Sequence, residues 1–401
     1  MDSESGNRAP HLERPHLRRV LPRPVSDGKT QGMALQDPFM LVPQTMVVPT
    51  AFGPALQHLN GEWTIDELAT NLKAPTEALD ALVAKLDELG LLWGPTAADL
   101  EQARRDAIQQ DGCLPMRQSS MLGKDAEAGR DTLAAWMSAS EDPEVEFEVH
   151  GLFAPRFDYG PAAEVYAGTY HALNGQQFDR VLILGNNQLG FGDGVVGTRW
   201  GFQSPLGRLV PDADFVDALE ERFGDALFND QLDHIASHGI EMQVPWLQYC
   251  LGEPTIVGCL MPDPLDASAD ERDIVTAADF VEGVRGIIEA LPGRTLVVAT
   301  GDLSHVGPQF GEPRPIDEQR RFEAERADRE LLSKFTGGDA DAFVAAVKWS
   351  ANSSRWSGVG AMAGLLSIVQ PREVELIDYC QHPLDEEGTA MIASAGLVAG
   401  G

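Results

Sequence analysis

Residues 301–307 read Gly-Asp-Leu-Ser-His-Val-Gly and follow "RTLVVA", an apolar, β-branched run with the pattern of a buried strand. A strand ending there delivers Asp302 and His305, three residues apart, onto one short rim loop. A carboxylate and an imidazole so placed suit acid–base work, because histidine titrates near neutral pH.

Further candidates stand where other strands end. "APRFDYG" carries Arg156 and Asp158, and "LGNNQLGFGDG" carries Asn186, Asn187 and Gln188. "SHGIEMQVPWLQ" carries His238 and Glu241 at the head of a helix, and Ser357 lies in "SRWSGVGAM", a turn into a Gly/Ala helix. Arg156 offers a fixed positive charge with a fork geometry suited to carboxylate or phosphate, while Gln188 and Ser357 offer neutral hydrogen bonds. His305, Asp302 and His238 are therefore expected as catalytic groups, and Arg156, Asp158, Gln188 and Ser357 as ligand-binding groups. His11, His16, His58, His150, His171, His234 and His382 stand without such company and read as surface or core histidines.

Familiar motifs are missing. "GDGVVG" at 192–197 fits G-x-G-x-x-G, but it begins well past the strand end and no helix pattern follows, as a dinucleotide site requires. No G-x-S-x-G elbow, P-loop or H-E-x-x-H is present.

The elements that must position these residues alternate from 146 onward. Strand patterns at "VEFEVHGLFAP", "DRVLILG", "PTIVGCLM", "RTLVVATG" and "REVELIDYC" are separated by helical patterns over 162–173, 214–223, 277–291, 317–334 and 339–347. This predicts an α/β domain over 146–401 with a mostly parallel sheet flanked by helices, and ligands beyond the C-terminal strand ends. Before it, residues 1–35 read as a loose lead, 36–95 as a small two-helix, winged-helix-like unit and 96–145 as a helical connector. In the small unit, Thr64 and Glu67 have capping-box spacing, and Gly90 is a natural helix stop. The second helix carries Glu77, Asp80, Asp87 and Glu88 against Lys85, which argues against DNA and leaves a peptide- or protein-docking module or a structural cap.

The 30 basic and 62 acidic residues give a formal net charge of −32, which disfavours nucleic acid and anionic membrane as partners. The sequence has no run of eighteen apolar residues and no apolar signal core near its start. Its four cysteines (113, 250, 259 and 380) are scattered and read as reduced. A cytoplasmic location is the expectation.

Several stretches resemble the Memo family, the B protein of the AmmeMemoRadiSam system, over about residues 113–399. "GLFAPRFDYGPAAEVYAGTY" is similar to the family's "PHxD…GGpvYAxAY" segment, "VLILGNNQ" to "vxxLGxSH", "SPLGRLVPD" to "TPLGxxxxD", "SHGIEMQVPWLQ" to "EHSIExQLPFLQ", and "VVATGDLSHVG" to "vxSSDxSHxG". "SRWSGVGAMAGLL" resembles its Cys-Gly segment. The head of the chain, through "LQDP" and "LNGEWTIDELA", is similar to winged-helix peptide-binding domains of peptide-modifying systems.

The resemblance implies a fold like that of class III non-haem iron extradiol dioxygenases. It also implies a metal site built from two histidines and a cysteine, and at those three positions this sequence has Arg156, Gln188 and Ser357. The expectation is a divergent, metal-free binding or accessory protein of a modification pathway, taking a small anionic ligand and holding no cofactor. Two catalytic alternatives stay open. One is a dioxygenase-like oxidoreductase with iron or copper at a site rebuilt from His305, Asp302 and Asp158 or His238. The other is a hydrolase or acyltransferase with Ser357 as nucleophile and His305 as base.

Overall fold

The structure, a computed structural model, describes residues 8–26, 31–42, 44–265 and 274–401. It divides into two compact units, Met1–Asp111 and Gly112–Gly401.

In the first unit, strands Leu21–Ser26, Gln31–Gln36 and Met46–Pro49 form an antiparallel sheet. Helices Gly53–His58, Ile65–Leu72, Thr76–Glu88 and Pro95–Asp111 follow. The capping box forms as the spacing predicts: Glu67 N donates to Thr64 Oγ1, and Thr64 N donates to Glu67 Oε2 at 2.8 Å. Gly90 ends the second of the two predicted helices at φ +73°, a conformation that a side chain would strain. Ile65, Leu68, Leu79, Leu82, Val83 and Leu86 are buried together, as their helical spacing requires.

Two expectations need correction here. The stretch 1–35 is not a loose lead over its described residues, since it supplies a helical turn at Pro10–Glu13 and the first strand and most of the second. Residues 1–7 and 27–30 of that stretch lie outside the described residues. The polar stretch 96–145 is not one connector either. Pro95–Asp111 belongs to the first unit, and the second unit begins at Gly112.

The second unit is mixed α/β, with a large central sheet. Its strands are β1 (Val149–Ala154), β2 (Arg180–Asn186), β3 (Val196–Gly197), β4 (Thr255–Met261), β5 (Thr295–Thr300), β6 (His305–Val306), β7 (Glu373–Pro383) and β8 (Met391–Gly400). The order is β6-β8-β1-β5-β2-β4-β3, with β7 on β8. The central strands β1, β5, β2 and β4 are parallel, and antiparallel strands close both sides. Helices are α1 (Ala126–Ala139), α2 (Tyr159–His171), α3 (Ala213–Phe223), α4 (Gly239–Leu251), α5 (Ala277–Ala290), α6 (Glu318–Phe335), α7 (Ala340–Trp349) and α8 (Val359–Val369).

Strand alternation divides the helices between the two faces. Leu184 on β2 meets α8 at Gly364, and the next residue, Gly185, meets α4 at Ile240. The core on the α8 side joins Phe153, Leu184, Val257 and Val297 to Phe335, Phe343, Met362 and Leu365. Strand β8 was not legible: "MIASAGLVAG" is small rather than β-branched, because α2 presses on it and Thr169 occupies the space beside Gly396. Among the described residues no helix is long and apolar enough to cross a membrane, and none of the four cysteines is in a disulfide.

The start of α8 lies flush against the strand ends. A Cβ built on Gly360 would fall 2.1 Å from the Pro262 carbonyl oxygen, and one on Gly358 2.8 Å from Gly301 Cα. Alanine normally stabilises a helix relative to glycine. Here Gly360→Ala is expected to destabilise by about 1–3 kcal/mol through overpacking, read as a lower melting temperature. A raised melting temperature would contradict this packing.

Candidate functional site

The parallel register brings four strand ends level. Ala154 pairs with Thr300, and Asn186 with Met261. Arg156, Gln188, Asp263 and Asp302 each stand two residues beyond the end of their strand. This convergence is where parallel α/β sheets bind ligands.

Asp302 is the anchor of the rim. It is 3% exposed, and its Oδ1 accepts from Arg156 N at 3.1 Å and Phe157 N at 3.0 Å. Its Oδ2 faces Arg156 Nε at 3.6 Å. Burial pushes the Asp302 carboxyl up to about 6, against the opposing pull of the Arg156 guanidinium. Arg156 Nη1 donates to Gln188 Oε1 at 2.5 Å.

Ser357 clasps the same loop. Its backbone N donates to the Asp302 carbonyl at 2.9 Å, and its Oγ accepts from Asp302 N at 3.1 Å. The Oγ proton points to the Asp302 carbonyl, at 3.3 Å. His305 donates from Nδ1 to the Leu303 carbonyl at 2.9 Å and packs edge-on to Phe310. Among the described residues no hydrogen bond joins Ser357 to His305, so the contact that a serine nucleophile needs is not formed.

His238 caps α4 without a side-chain cap bond. Burial, then the charges of Arg156 and Arg117, push its imidazole down to about 3. Burial, with Arg156 and Arg355 nearby, holds His305 at about 4. Both rings are neutral at physiological pH, which corrects the near-neutral titration expected of His305. Asp158 is exposed at the start of α2 and acts on Asp302 as a like charge. Asp302, Gln188, His238 and His305 thus gather around Arg156, Ser357 joins them through Asp302, and Asp158 lies at the margin.

Several residues that hold the site escaped the sequence pattern. The Pro155 carbonyl, next to Arg156, accepts from Tyr166 OH at 2.7 Å, Gln243 Nε2 at 2.8 Å and Thr300 Oγ1 at 3.1 Å. Gln243 is fully buried and also bonds Gly239 and Tyr170, so it ties α2 and α4 to the ends of β1 and β5. His382 stacks on Phe157 with ring centroids 5.2 Å apart and bonds Ser394. Ser394 reaches it across the β7–β8 pairing, and strand β8 carried no signal in the sequence.

Asp328 on α6 fastens the rim from below. Its fully buried carboxylate accepts from Ser304 Oγ at 2.5 Å, Trp356 Nε1 at 2.7 Å and Tyr379 OH at 2.9 Å. Ser304 lies between Asp302 and His305, and Trp356 precedes Ser357, so one carboxylate sets the spacing of both loops.

A cavity of about 360 Å³ adjoins Ser357 and Gln188, with Asn186, Asn187, Pro262, Asp263, Val359 and Gly360 among its walls. Among the described residues no group of three or more His, Cys, Asp or Glu side chains is arranged to hold a metal ion.

Asp328→Ala strands three buried donors and is expected to cost about 3 kcal/mol, with Asp328→Asn costing less; chemical denaturation measures both. A loss below about 1 kcal/mol for the alanine variant would contradict the fastening role. Arg156→Ala is expected to raise the pKa of His238 and His305, since it removes a like charge from both. Titration followed by NMR checks this, and unchanged values would contradict it.

A model of the Memo family, described as Memo-like protein, matches residues 119–397. A MEMO1 family protein of Thermus thermophilus is 25% identical over 320 residues, covering 80% of this chain and 91% of its own length. One of Aquifex aeolicus is 23% identical over 308 residues, covering 75% and 76%. One of Methanopyrus kandleri is 28% identical over 236 residues, covering 57% and 75%. With the sheet, the rim and the matched span in agreement, the chain belongs to the Memo family.

Proposed function

We propose that this Memo-family chain is a binding or accessory protein of a modification pathway whose strand-end site takes a small anion without a metal ion. The observation that carries this is the place of Arg156. Its guanidinium lies between Asp302 and Gln188 at the convergence of the strand ends. By resemblance, Arg156, Gln188 and Ser357 occupy the family's metal positions. A guanidinium stays protonated in a protein and has no lone pair to offer a cation. Gln188 and Ser357 bring neutral oxygens, which hold a transition metal poorly.

A site rebuilt from Asp302, His305, His238 or Asp158 fits iron or copper no better. Asp302 Oδ1 is engaged by two backbone amides and its Oδ2 faces the Arg156 guanidinium, which would repel a cation bound there. The hydrolase alternative loses support because the Ser357 hydroxyl is engaged by the Asp302 backbone. What this chain's residues do is bind and orient. Arg156 supplies charge and a fork of donors, Asp302 fixes its loop, and the neutral imidazoles line the rim without repelling or attracting the anion. The first unit, with its three-stranded sheet and the acidic helix Thr76–Glu88, is proposed to dock a peptide or protein partner.

A ligand anion competes with the Asp302 carboxylate for Arg156, and that carboxyl is ionised above about pH 6 and neutral below it. Affinity should therefore rise as pH falls through 6, while His238 and His305 stay neutral. Sulfate keeps its charge across this range and serves as the probe. Calorimetry is expected to show binding several-fold tighter at pH 5 than at pH 7.5, and at least tenfold weaker binding by Arg156→Ala at either pH. Equal binding by wild type and Arg156→Ala would remove Arg156 from the account.

A further inference from the structure

The cavity beside Gln188 has donors that nothing in the fold uses. Its floor is the start of α8, an eleven-residue helix whose cap residue, Gly358, brings no side-chain cap bond. The first turn of a helix presents unpaired N–H groups and the positive end of the helix dipole. Gly358 and Gly360 let this turn lie directly against Gly301 and Pro262, where any side chain would collide.

A second donor is independent of the helix. Asn186 is 8% exposed, and its Nδ2 has no hydrogen-bond partner. Because Gly185 faces α4 and Leu184 faces α8 at Gly364, strand alternation turns the Asn186 side chain toward α8, one turn nearer its start. Asn186, Val359 and Gly360 share the cavity wall. A buried amide donor without a partner is costly unless a ligand satisfies it.

The charge around the cavity selects the ligand. Asp263 stands on the rim with Oδ1 on the Leu265 amide, and Asp302 already faces Arg156. With one guanidinium among these carboxylates and a net charge of −32 overall, a monoanion is accommodated better than a dianion. Pro262 and Val359 give the cavity apolar surface for a short carbon skeleton.

We propose that the cavity binds the carboxylate of a small organic acid, one oxygen on the first-turn amides of α8 and the other on Asn186 Nδ2. This rests on the anion-binding reading above and names the ligand class and its seat. The carboxylate would lie in the same strand-end site, on the far side of Gln188 from Arg156, with its carbon skeleton against Pro262 and Val359.

The test follows ¹H–¹⁵N spectra of the full chain as acetate is added, in wild type, Asn186→Asp and Arg156→Ala. Wild type is expected to show saturable shifts of the Val359 and Gly360 amides and of the Asn186 side-chain amide. Asn186→Asp, which puts a carboxylate where the ligand's would lie, is expected to weaken binding at least tenfold. Should its melting curve show that it does not fold, Asn186→Ala reads the same loss without added charge. Sulfate is expected to shift the Val359 and Gly360 amides less than acetate does. Still Val359 and Gly360 signals, unchanged acetate affinity in the Asn186 variants, or sulfate binding tenfold tighter at these amides would overturn the proposal. If Arg156→Ala alone loses anion binding, the broader reading stands and this seat falls. If the Asn186 variants lose binding while Arg156→Ala keeps it, this seat stands and the role given to Arg156 falls.

Discussion

The buried carboxylate of Asp302 holds the rim in one arrangement. It gathers the amides of Arg156 and Phe157, faces the Arg156 guanidinium, and through its own backbone clasps Ser357. Removing such a group from water is unfavourable unless its acceptors are filled, and here two amides and one cation do so. The direction of the Arg156 chain and the position of the α8 start follow from this pairing, and Arg156 adds to the burial that keeps His238 and His305 neutral.

The support beneath the rim is polar and shared. Gln243 and Tyr166 converge on the Pro155 carbonyl, and Asp328 collects Ser304, Trp356 and Tyr379. Gln243 and Asp328 bond residues from distant parts of the chain. The site therefore depends on the whole sheet being closed, including the antiparallel strands β7 and β8 that flank the parallel core. An Arg-centred site can be kept rigid by such a scaffold, which limits the entropy lost when a ligand is fixed.

Much of this was legible from residues alone. The parallel strands announced themselves by unbroken β-branched runs, and the rim by Asp302 and His305 just past one of them. Arg156, Gln188 and Ser357 stood out at strand ends and at a turn into a helix, and the resemblance then marked them as the positions of the family's metal ligands. Strand β8 was hidden by its Ala, Gly and Ser content, whose cause is the close approach of α2. The order in the described part of residues 1–35 was hidden by prolines that sit on an edge strand, where a missing N–H is tolerated. Gln243, Asp328 and His382 look ordinary in sequence because their partners are brought to them only by the fold. The titration of His305 was misjudged for the same reason: burial and Arg156 are tertiary facts.

The central claim is that a guanidinium has displaced metal chemistry from the strand-end site. Its most direct test is elemental analysis of the purified full chain, before and after reconstitution with ferrous iron under reducing, oxygen-free conditions. The account predicts no stoichiometric metal in either sample. About one tightly held equivalent, lost in His305→Ala, would contradict it and make the Asp302–His305 rim a rebuilt metal site.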